Sequence, residues 1–573
     1  MLVARTAELN ELVSLLELAG RGEGRLVVLE GEAGIGKTFL LDQALARAEA
    51  LGFRSFVGAA EELERHRPFG TICEALGIGR RGRSSIVAHP GEDDRRAEVA
   101  RLLAGDTRAL GSTLLLGAPE AEFRIVDALV DFVEHLCSAG PVVVALEDLQ
   151  WVDPSTLLAL NRLVRDLPYL PAALVCTFRP LPRSAELSAF LNGLAARRAV
   201  QFRLGRLDQG SVAALVEAML GARPGRRLLG QLARAGGNPF FATELVASLQ
   251  HEGAITLVDE VAEVVGVSLP SSLTNTILPR LSFLSEEVLE TLRVASILGS
   301  SFSVADLAAV AGKPTPEITP DLAISVRAGI LQADGSLLAF RHDLIREALY
   351  EGMSHPVRAG LHLAAADILA QAGLPPEDVA EHVVRGAVPG DLHAVEWLRA
   401  AARQAATRSP AVAADLLERT LELAPGDPSR DPALADLALY LLWSGRMAEA
   451  ESVCREVLGR DHDPAVEGRL QLCLVQTEVG QGRVAESLRE IEAAVQSPAL
   501  TERDRARLWA WACTGQVIIW DLEGAVRSAA IVLEKCREVE DDLCGAVALA
   551  GLATVQNLQG HFEEALRQAE AAL

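Results

Sequence analysis

The sequence predicts a multidomain protein with an N-terminal α/β P-loop domain and a C-terminal, all-α superhelix of repeated helix pairs. Three observations support this prediction. A glycine-rich loop follows an apolar strand near the N-terminus, a second apolar strand ends in two carboxylates, and a recurring helical pattern fills the C-terminal third. A length of 573 residues is enough for several domains.

The glycine-rich loop at residues 31–38 is the strongest functional motif. It reads Gly-Glu-Ala-Gly-Ile-Gly-Lys-Thr and directly follows the apolar run at 26–29. In such a loop, backbone N–H groups surround phosphates, the lysine contacts the β/γ oxygens, and the hydroxyl binds Mg²⁺. We therefore predict an ATP or ADP site in which Lys37 is also catalytic and Thr38 binds Mg²⁺. The predicted nucleotide-binding loop residues are Gly31, Glu32, Ala33, Gly34, Ile35, Gly36, Lys37 and Thr38.

A second apolar run, at residues 142–146, is followed by Glu147 and Asp148. This pattern predicts a buried parallel strand that presents acids at its carboxyl end, where open α/β sheets place their chemistry. By position we assign Glu147 to the metal and Asp148 to the attacking water, and the two roles are interchangeable. Asp153 precedes Pro154 and is interpreted as a helix N-cap rather than a third catalytic acid.

A further strand, at residues 172–177, ends just before Arg179. An arginine at a strand tip beside phosphates senses the γ-phosphate or stabilises developing charge, so we predict a catalytic role for Arg179. The alternative is a solvated loop arginine.

Several motifs in a fixed order resemble the STAND class of AAA-related P-loop ATPases, and more narrowly the MalT-like, large ATP-binding (LAL) regulators of the LuxR family. The motifs are GEAGIGKT, VVVALEDLQWVDPST, TFRP, RLGRLDQGSVAALVEAML and GGNPFFATELV. The resemblance implies a helical lid at 206–268. It also implies that Arg5, in the opening Val-Ala-Arg-x-x-Glu motif, contacts the nucleotide base. In this motif the family usually has Gly where this chain has Ala4. The resemblance further implies that Pro239, in the Gly-Asn-Pro turn, lies near the nucleotide.

Residues 269–355 combine short helical patterns with two short strand-like runs joined by Asp334-Gly335, a hairpin signal. We predict a winged helix, used as a spacer because the segment is not strongly basic. The Phe-Arg-His segment that follows resembles a switch motif of the family. The resemblance implies that His342 touches the β-phosphate of ADP and holds a closed state, and the alternative is a histidine bonded within its own domain.

From residue 356 onward the pattern is helical, with similar copies beginning at 408, 445, 482, 521 and 560. The period is slightly above the ~34 residues of a tetratricopeptide unit, which predicts stacked helix pairs. A curved stack of this kind suits an inducer or a protein partner on its concave face. Trp509, Trp511 and Trp520 are interpreted as packing residues. The last copy stops in mid-pattern, so we expect more natural chain or a partner at that end.

The formal charge of −24 disfavours direct binding to nucleic acid. DNA is therefore expected as a partner only through an output domain that cannot be identified in these residues. The first residues do not form a signal peptide, no apolar run is long enough to cross a membrane, and the eight cysteines form no Cys-x-x-Cys pair. We expect a cytoplasmic, bacterial protein with reduced cysteines and no membrane association.

The predicted function is an ATP-binding signal-transduction switch of the LuxR/LAL type, with Mg²⁺ as cofactor and slow hydrolysis that serves regulation. A nucleotide-dependent oligomer is a further expectation. Two alternatives remain: an accessory module of a nucleotide cyclase or kinase system, and an ATP-binding scaffolding repeat protein. The predicted domains are 1–205 (ATPase), 206–268 (lid), 269–355 (winged helix) and 356–573 (repeats).

Overall fold

The computed structural model describes residues 5–78, 91–104, 119–194, 199–233, 236–251, 254–258, 261–264, 284–427, 429–539 and 541–572. Contacts divide the chain into two compact units. The first unit comprises 1–101 and 125–386, and the second comprises 102–124 and 387–573. The domain boundaries within them stay predictions. Within the described ranges, no helix is long and apolar enough to cross a membrane.

A five-stranded parallel sheet forms the centre of the nucleotide-binding part, with strand order β2-β3-β4-β1-β5. Because β4 lies between β1 and β3, the carboxyl ends of these three strands meet at one edge of the sheet. The central strands β3 and β4 are buried along almost their whole length, as their continuous apolar runs predict. The strands are β1 (Arg25–Gly31), β2 (Arg54–Ala59), β3 (Val142–Glu147), β4 (Ala172–Phe178) and β5 (Val200–Leu204).

Helices accompany this sheet, and the cap predicted for one of them is confirmed. Asp153 accepts a hydrogen bond from the backbone N–H of Thr156 at 2.8 Å and another from that of Phe69 at 2.8 Å. Burial raises the pKa of Asp153 to about 6. The helices are α1 (Thr6–Gly20), α2 (Lys37–Ala50), α3 (Gly70–Ala75), α4 (Glu92–Leu103), α5 (Pro119–Ser138), α6 (Pro154–Asp166) and α7 (Ala185–Leu194).

The segment predicted as a helical lid contains helices and also a small sheet, with strand order β6-β8-β7, that the sequence pattern did not predict. Its strands have two to four residues, too few to show an alternating pattern. The elements are α8 (Gln209–Leu220), β6 (Arg223–Pro224), α9 (Arg226–Leu232), α10 (Pro239–His251), β7 (Ile255–Val258) and β8 (Val261–Val264).

The next module packs four helices around a three-stranded sheet of order β10-β11-β9. The predicted hairpin is confirmed, because Asp334 pairs with Leu337 and the turn residue Gly335 has a φ of 60°. The winged-helix assignment stays a prediction, and its start at residue 269 lies outside the described residues. The elements are α11 (Glu286–Ile297), β9 (Ser301–Phe302), α12 (Val304–Ala311), α13 (Thr315–Arg327), β10 (Leu331–Asp334), β11 (Leu337–Phe340) and α14 (Asp343–Glu351).

All elements assigned after α14 are helices. Helices α15 (His355–Gln371) and α16 (Pro376–Gly386) belong to the first unit. Consecutive helices of the second unit contact each other, and the predicted all-helical architecture of this region is confirmed, while the tetratricopeptide-like repeat stays a prediction. They are α17 (Leu392–Ala405), α18 (Pro410–Leu423), α19 (Arg430–Trp443), α20 (Met447–Leu458), α21 (Pro464–Gly480), α22 (Val484–Ala494), α23 (Glu502–Ile518), α24 (Leu522–Val539), α25 (Asp542–Leu558) and α26 (Phe562–Ala572).

The turns between repeats correct two details of the sequence analysis. The copies at 445, 482 and 560 begin with glycines of φ near +80°, and in the fourth copy the residue with positive φ is Trp520, at 64°. That copy therefore begins one residue before the predicted position 521. Trp520 is 69% exposed, so its predicted packing role is wrong. Trp509 and Trp511 do pack against buried residues, as predicted.

Candidate nucleotide site

The glycine-rich loop connects β1 to α2 at the centre of the sheet. Gly34 and Gly36 have φ values of 72° and 98°, a conformation that glycine adopts without strain. The Lys37 side chain is buried, and its Nζ donates hydrogen bonds to the carbonyl oxygens of Gly31 at 2.9 Å and Glu32 at 3.1 Å. Ile35 is buried against the core below the loop. The loop thus has the curved backbone and the inward lysine that phosphate binding requires.

An oxygen pair suited to Mg²⁺ lies beside the loop. The Oγ1 of Thr38, in the first turn of α2, donates to Oε2 of Glu147, at the end of β3, at 2.7 Å. Mg²⁺ prefers oxygen ligands and is commonly bound by one or two protein groups together with substrate phosphates. These two residues fit that requirement, and they are the ones that would hold the ion beside the phosphates.

The second predicted carboxylate, Asp148, faces a different set of groups. Its backbone is in the left-handed region, with a φ of 53°, and its N–H donates to Oγ1 of Thr177 at 3.0 Å. Its side chain accepts from Nε2 of Gln150 at 2.9 Å and lies 3.8 Å from Nε of Arg179. The structure therefore separates the carboxylates, with Glu147 at Thr38 and Asp148 at Arg179. This placement supports the assignment of Glu147 to the metal.

Arg179 joins the strand end to a helix far away in the sequence. Its Nη1 lies 2.6 Å from Oε1 of Glu347 on α14, and its backbone N–H donates to Oε1 of Gln150 at 2.9 Å. The Arg179 side chain is only 13% exposed, which does not fit the alternative of a solvated loop arginine. The guanidinium is held between Asp148 and an acid of another module.

The Gly-Asn-Pro turn touches the phosphate loop directly. Nδ2 of Asn238 donates to the carbonyl oxygen of Ala33 at 2.9 Å. The backbone N–H of Phe240 donates to the carbonyl oxygen of Gly34 at 3.3 Å. A Cβ added to Gly34 would lie 2.8 Å from Cβ of Phe240 and 3.0 Å from Cδ1 of Leu344. Pro239 begins α10 within this turn. The loop is therefore packed against both α10 and α14.

His342 immediately precedes α14 and lies at the same junction. Its ring packs edge-on against Phe240, with the ring centroids 4.9 Å apart. Burial lowers the pKa of His342, and the nearby Arg341 lowers it further while Glu244 opposes the shift. The imidazole is therefore neutral near pH 7 and offers one hydrogen-bond donor. The structure brings His342 to the turn that contacts the loop.

Arg5 lies at the start of the described chain. Its Nη1 donates to Oε1 of Glu8 at 3.0 Å, and its Nη2 donates to the carbonyl oxygen of Gly205, just after β5. Its buried Nε has no hydrogen-bond partner within the described residues. Val3 and Ala4 of the opening motif lie outside the described residues, and the predicted base contact stays a prediction.

Sequence reasoning missed residues that organise this site. Gln150 bridges Asp148 and Arg179, and its place inside a recognised motif was a usable signal. Glu347 is 168 positions from Arg179, and no local spacing connects the two. Asn238 was quoted only as part of a turn, although its amide contacts the loop.

The comparisons with known proteins agree with this geometry. Residues 1–178 match the AAA ATPase domain family. The chain contains an AAA ATPase domain. An uncharacterized protein of Rhizobium meliloti (strain 1021) is 27% identical over 465 residues, which cover 74% of this chain. The chain spans 42% of the length of that curated relative.

Two solved structures are similar in part. One is a Signal Transduction ATPase with Numerous Domains (STAND) protein with a tetratricopeptide repeat sensor from Pyrococcus horikoshii. It has 12% identity and a TM-score of 0.42, and the match covers 100% of this chain and 82% of that chain. The other is the ORC2 protein of Aeropyrum pernix in ADPNP and ADP complexes, with 14% identity and a TM-score of 0.31, covering 61% and 95% of the two chains.

Proposed function

We propose that this protein is a nucleotide-dependent signal-transduction switch. Its AAA ATPase domain would bind ATP or ADP with Mg²⁺, and the bound state would control the placement of the module that carries α14. The observation that carries the proposal is that α14 meets the phosphate site at two points. Leu344 packs on Gly34, and Glu347 pairs with Arg179.

These contacts support a switch because a ligand shifts a conformational equilibrium only through contacts that differ between the two states. The guanidinium of Arg179 is engaged by Glu347 at 2.6 Å. An added γ-phosphate would compete with Glu347 for this cation, whereas a diphosphate lacks the group that would do so. The triphosphate state would therefore weaken the attachment of α14.

His342 would favour the opposite state. As a neutral imidazole it offers one N–H donor, which suits the β-phosphate of ADP. A bond of this kind would exist only while α14 is packed on the loop, so it would stabilise the closed, ADP-bound form.

The remaining residues would bind the nucleotide and reset the switch. Lys37 would contact the β/γ oxygens, Thr38 and Glu147 would hold Mg²⁺, and Asp148 would orient the attacking water. Bound Mg²⁺ supplies neutralisation of phosphate charge. A slow turnover suits this role, since the hydrolysis returns the protein to its ADP-bound form.

The order of the motifs along the chain supports a division into sensing and output parts. The repeat helices would bind the inducer or protein partner, the helix-hairpin module would act as a winged-helix spacer, and the output would be LuxR-type regulation of transcription in the cytoplasm.

Replacing His342 with Leu tests the switch. We expect release of a fluorescent ADP analogue to accelerate about tenfold, because one hydrogen bond of about 1.4 kcal/mol is lost from the closed state. Stopped-flow fluorescence measures the rate, and His393→Leu, at an exposed histidine of the second unit, is the matched control. Unchanged release in the His342 variant would contradict the switch. Normal ATP binding by Lys37→Ala would contradict the nucleotide site itself.

A further inference from the structure

A separate cleft of about 310 Å³ lies within the first unit, and none of the predicted nucleotide-site residues lines it. Three segments form its walls: the loop after β2 at 61–67, the helix-hairpin module at 298–306 and 337, and α15–α16 at 369–382. A volume of about 300 Å³ is the lower end of the range for small-molecule sites.

The cleft has apolar walls that suit a compact organic molecule. Such sites commonly combine hydrophobic walls with a few convergent polar groups that fix orientation. The apolar lining residues are Leu63, Leu298, Phe302, Leu337, Leu369 and Leu374.

The polar lining is strongly negative. Five charged residues line the cleft. Four carry carboxylates, Glu61, Glu64, Asp306 and Asp378, and one carries a guanidinium, Arg67. Arg67 lies between two of these acids, 3.4 Å from Glu64 and 3.5 Å from Asp378. Among the described residues that line the cleft, acids thus outnumber bases four to one, beside a hydrophobic surface.

One further polar group of the lining is His382, which is 3% exposed. Nη1 of Arg385 donates to the Tyr350 hydroxyl at 3.3 Å, so the hydroxyl is free to donate to Nε2 of His362, at 3.0 Å. His362 then carries its proton on Nδ1 and donates to Nδ1 of His382 at 2.9 Å. Because Nδ1 of His382 accepts this hydrogen bond, the neutral His382 ring carries its own proton on Nε2.

His382 thus offers a donor that the protein itself does not use. Burial holds the pKa of His382 at about 4 and that of His362 at about 2, so both rings are neutral at pH 7. Among the described residues, no acceptor is bonded to Nε2 of His382. A bound ligand with an acceptor group would take this hydrogen bond.

We propose that this cleft binds a small organic cation, with an ammonium or guanidinium group at the carboxylates and an apolar body between the leucines. An acceptor atom on the same molecule would take the hydrogen bond of His382. The site is distinct from the nucleotide site, and its occupation does not depend on the proposed switch.

Isothermal titration of the full chain tests the proposal with three amines of different apolar bodies: phenethylamine, hexylamine and tryptamine. Two control ligands share the apolar body of phenethylamine but not its charge: the uncharged 2-phenylethanol and the anionic 3-phenylpropionate. We expect at least one amine to bind below about 10 mM, and the alcohol and the acid to bind at least about tenfold more weakly than the amine.

Asp306→Asn removes one of the lining charges. We expect amine affinity to fall about fivefold, while Glu317→Gln, an exposed acid on α13, leaves it unchanged. If Asp306→Asn lowers the melting temperature, Glu61→Gln repeats the test on another lining acid. Absence of binding by all three amines, equal binding of the alcohol, or full affinity in the charge variants would overturn the proposal.

Discussion

In the first unit, charged and polar side chains are buried in specific hydrogen-bond chains, whereas in the second unit alanines fill much of the helix interfaces. Glu381 and His362 are 4% and 1% exposed. Ala402, Ala413 and Ala529 are fully buried between repeat helices. Among its described residues, the second unit also buries Glu478, Asp541 and five hydroxyl side chains: Ser409, Thr420, Thr477, Ser487 and Ser528.

This difference between the units indicates where a change of charge should most affect the stability of the fold. A buried polar network is stable only when each member keeps its partners, so it specifies one arrangement. Small apolar contacts tolerate small displacements more easily because no partner is left unsatisfied. The first unit should therefore be more sensitive to changes of charge than the second.

The sharpest test of this comparison replaces one arginine in each unit. Arg385 contacts Glu62 at 2.6 Å and Glu381 at 2.7 Å, whereas Arg446 pairs with Glu418 and Glu449 in a more exposed position. Arg385→Ala should cost about 3–5 kcal/mol of unfolding free energy because it leaves the buried Glu381 carboxylate with only His66, at 3.0 Å, as a partner among the described residues. Arg446→Ala should cost less than about 1 kcal/mol.

Denaturant unfolding of the two variants measures the difference. Losses of similar size in both would contradict the distinction between the units.

The second largest expected effect is a loss of unfolding free energy at low pH. The pKa values of His362 and His382 are lowered to about 2 and about 4, while an unfolded histidine has a pKa near 6.5. Below pH 6.5 the unfolded chain binds protons that the folded pair does not, so stability falls as the pH falls. At pH 5 the loss should reach about 2 kcal/mol per histidine.

Unfolding curves at pH 7 and pH 5 measure this loss. A variant carrying His362→Gln and His382→Gln should be less dependent on pH than the original chain. Equal slopes in the two proteins would show that the pair is not the cause.

Replacement of Asp153 should have a smaller effect. Asp153→Ala removes the cap of α6 and leaves the N–H of Phe69 without its acceptor, so we expect a loss of about 2–3 kcal/mol. Asp463 caps α21 in the second unit from an exposed position, and Asp463→Ala is the matched control with a smaller expected loss. Thermal melting compares them, and a larger loss in the control would reverse the comparison.

The smallest expected effect is at the pair between Arg179 and Glu347. Glu347→Gln weakens the attachment of α14, and we expect ADP release to accelerate about fivefold, equivalent to about 1 kcal/mol. Glu351→Gln, on the same helix but paired with Arg358, should leave the rate unchanged. Equal rates for both variants and the original chain would remove Glu347 from the switch.

Features that depend on neighbouring residues could be predicted from the sequence. The strand before the loop, the cap at Asp153 and the hairpin turn at Gly335 each follow from a short pattern. The repeats were also predictable, because each copy repeats the same local turn. Trp520 escaped prediction since a bulky residue rarely takes the left-handed conformation that glycine has in the other copies.

Contacts between distant segments could not be predicted in this way. The pair of Arg179 with Glu347 and the packing of Leu344 on Gly34 depend on how the modules fold together. The short strands of the lid segment were too short to show a pattern. The separation of Glu147 from Asp148 depends on the left-handed backbone at Asp148, and the sequence had left their roles interchangeable.

The separation along the chain between the nucleotide-binding sheet and α14 also has a consequence for biosynthesis. The last strand of the sheet that holds the loop ends at residue 204, about 140 residues before α14 begins, which corresponds to roughly 7–28 s of translation. During this interval a nascent chain can form the phosphate-binding loop without the helix that restrains it. Nucleotide taken up at that stage would be present before the restraint closes over it.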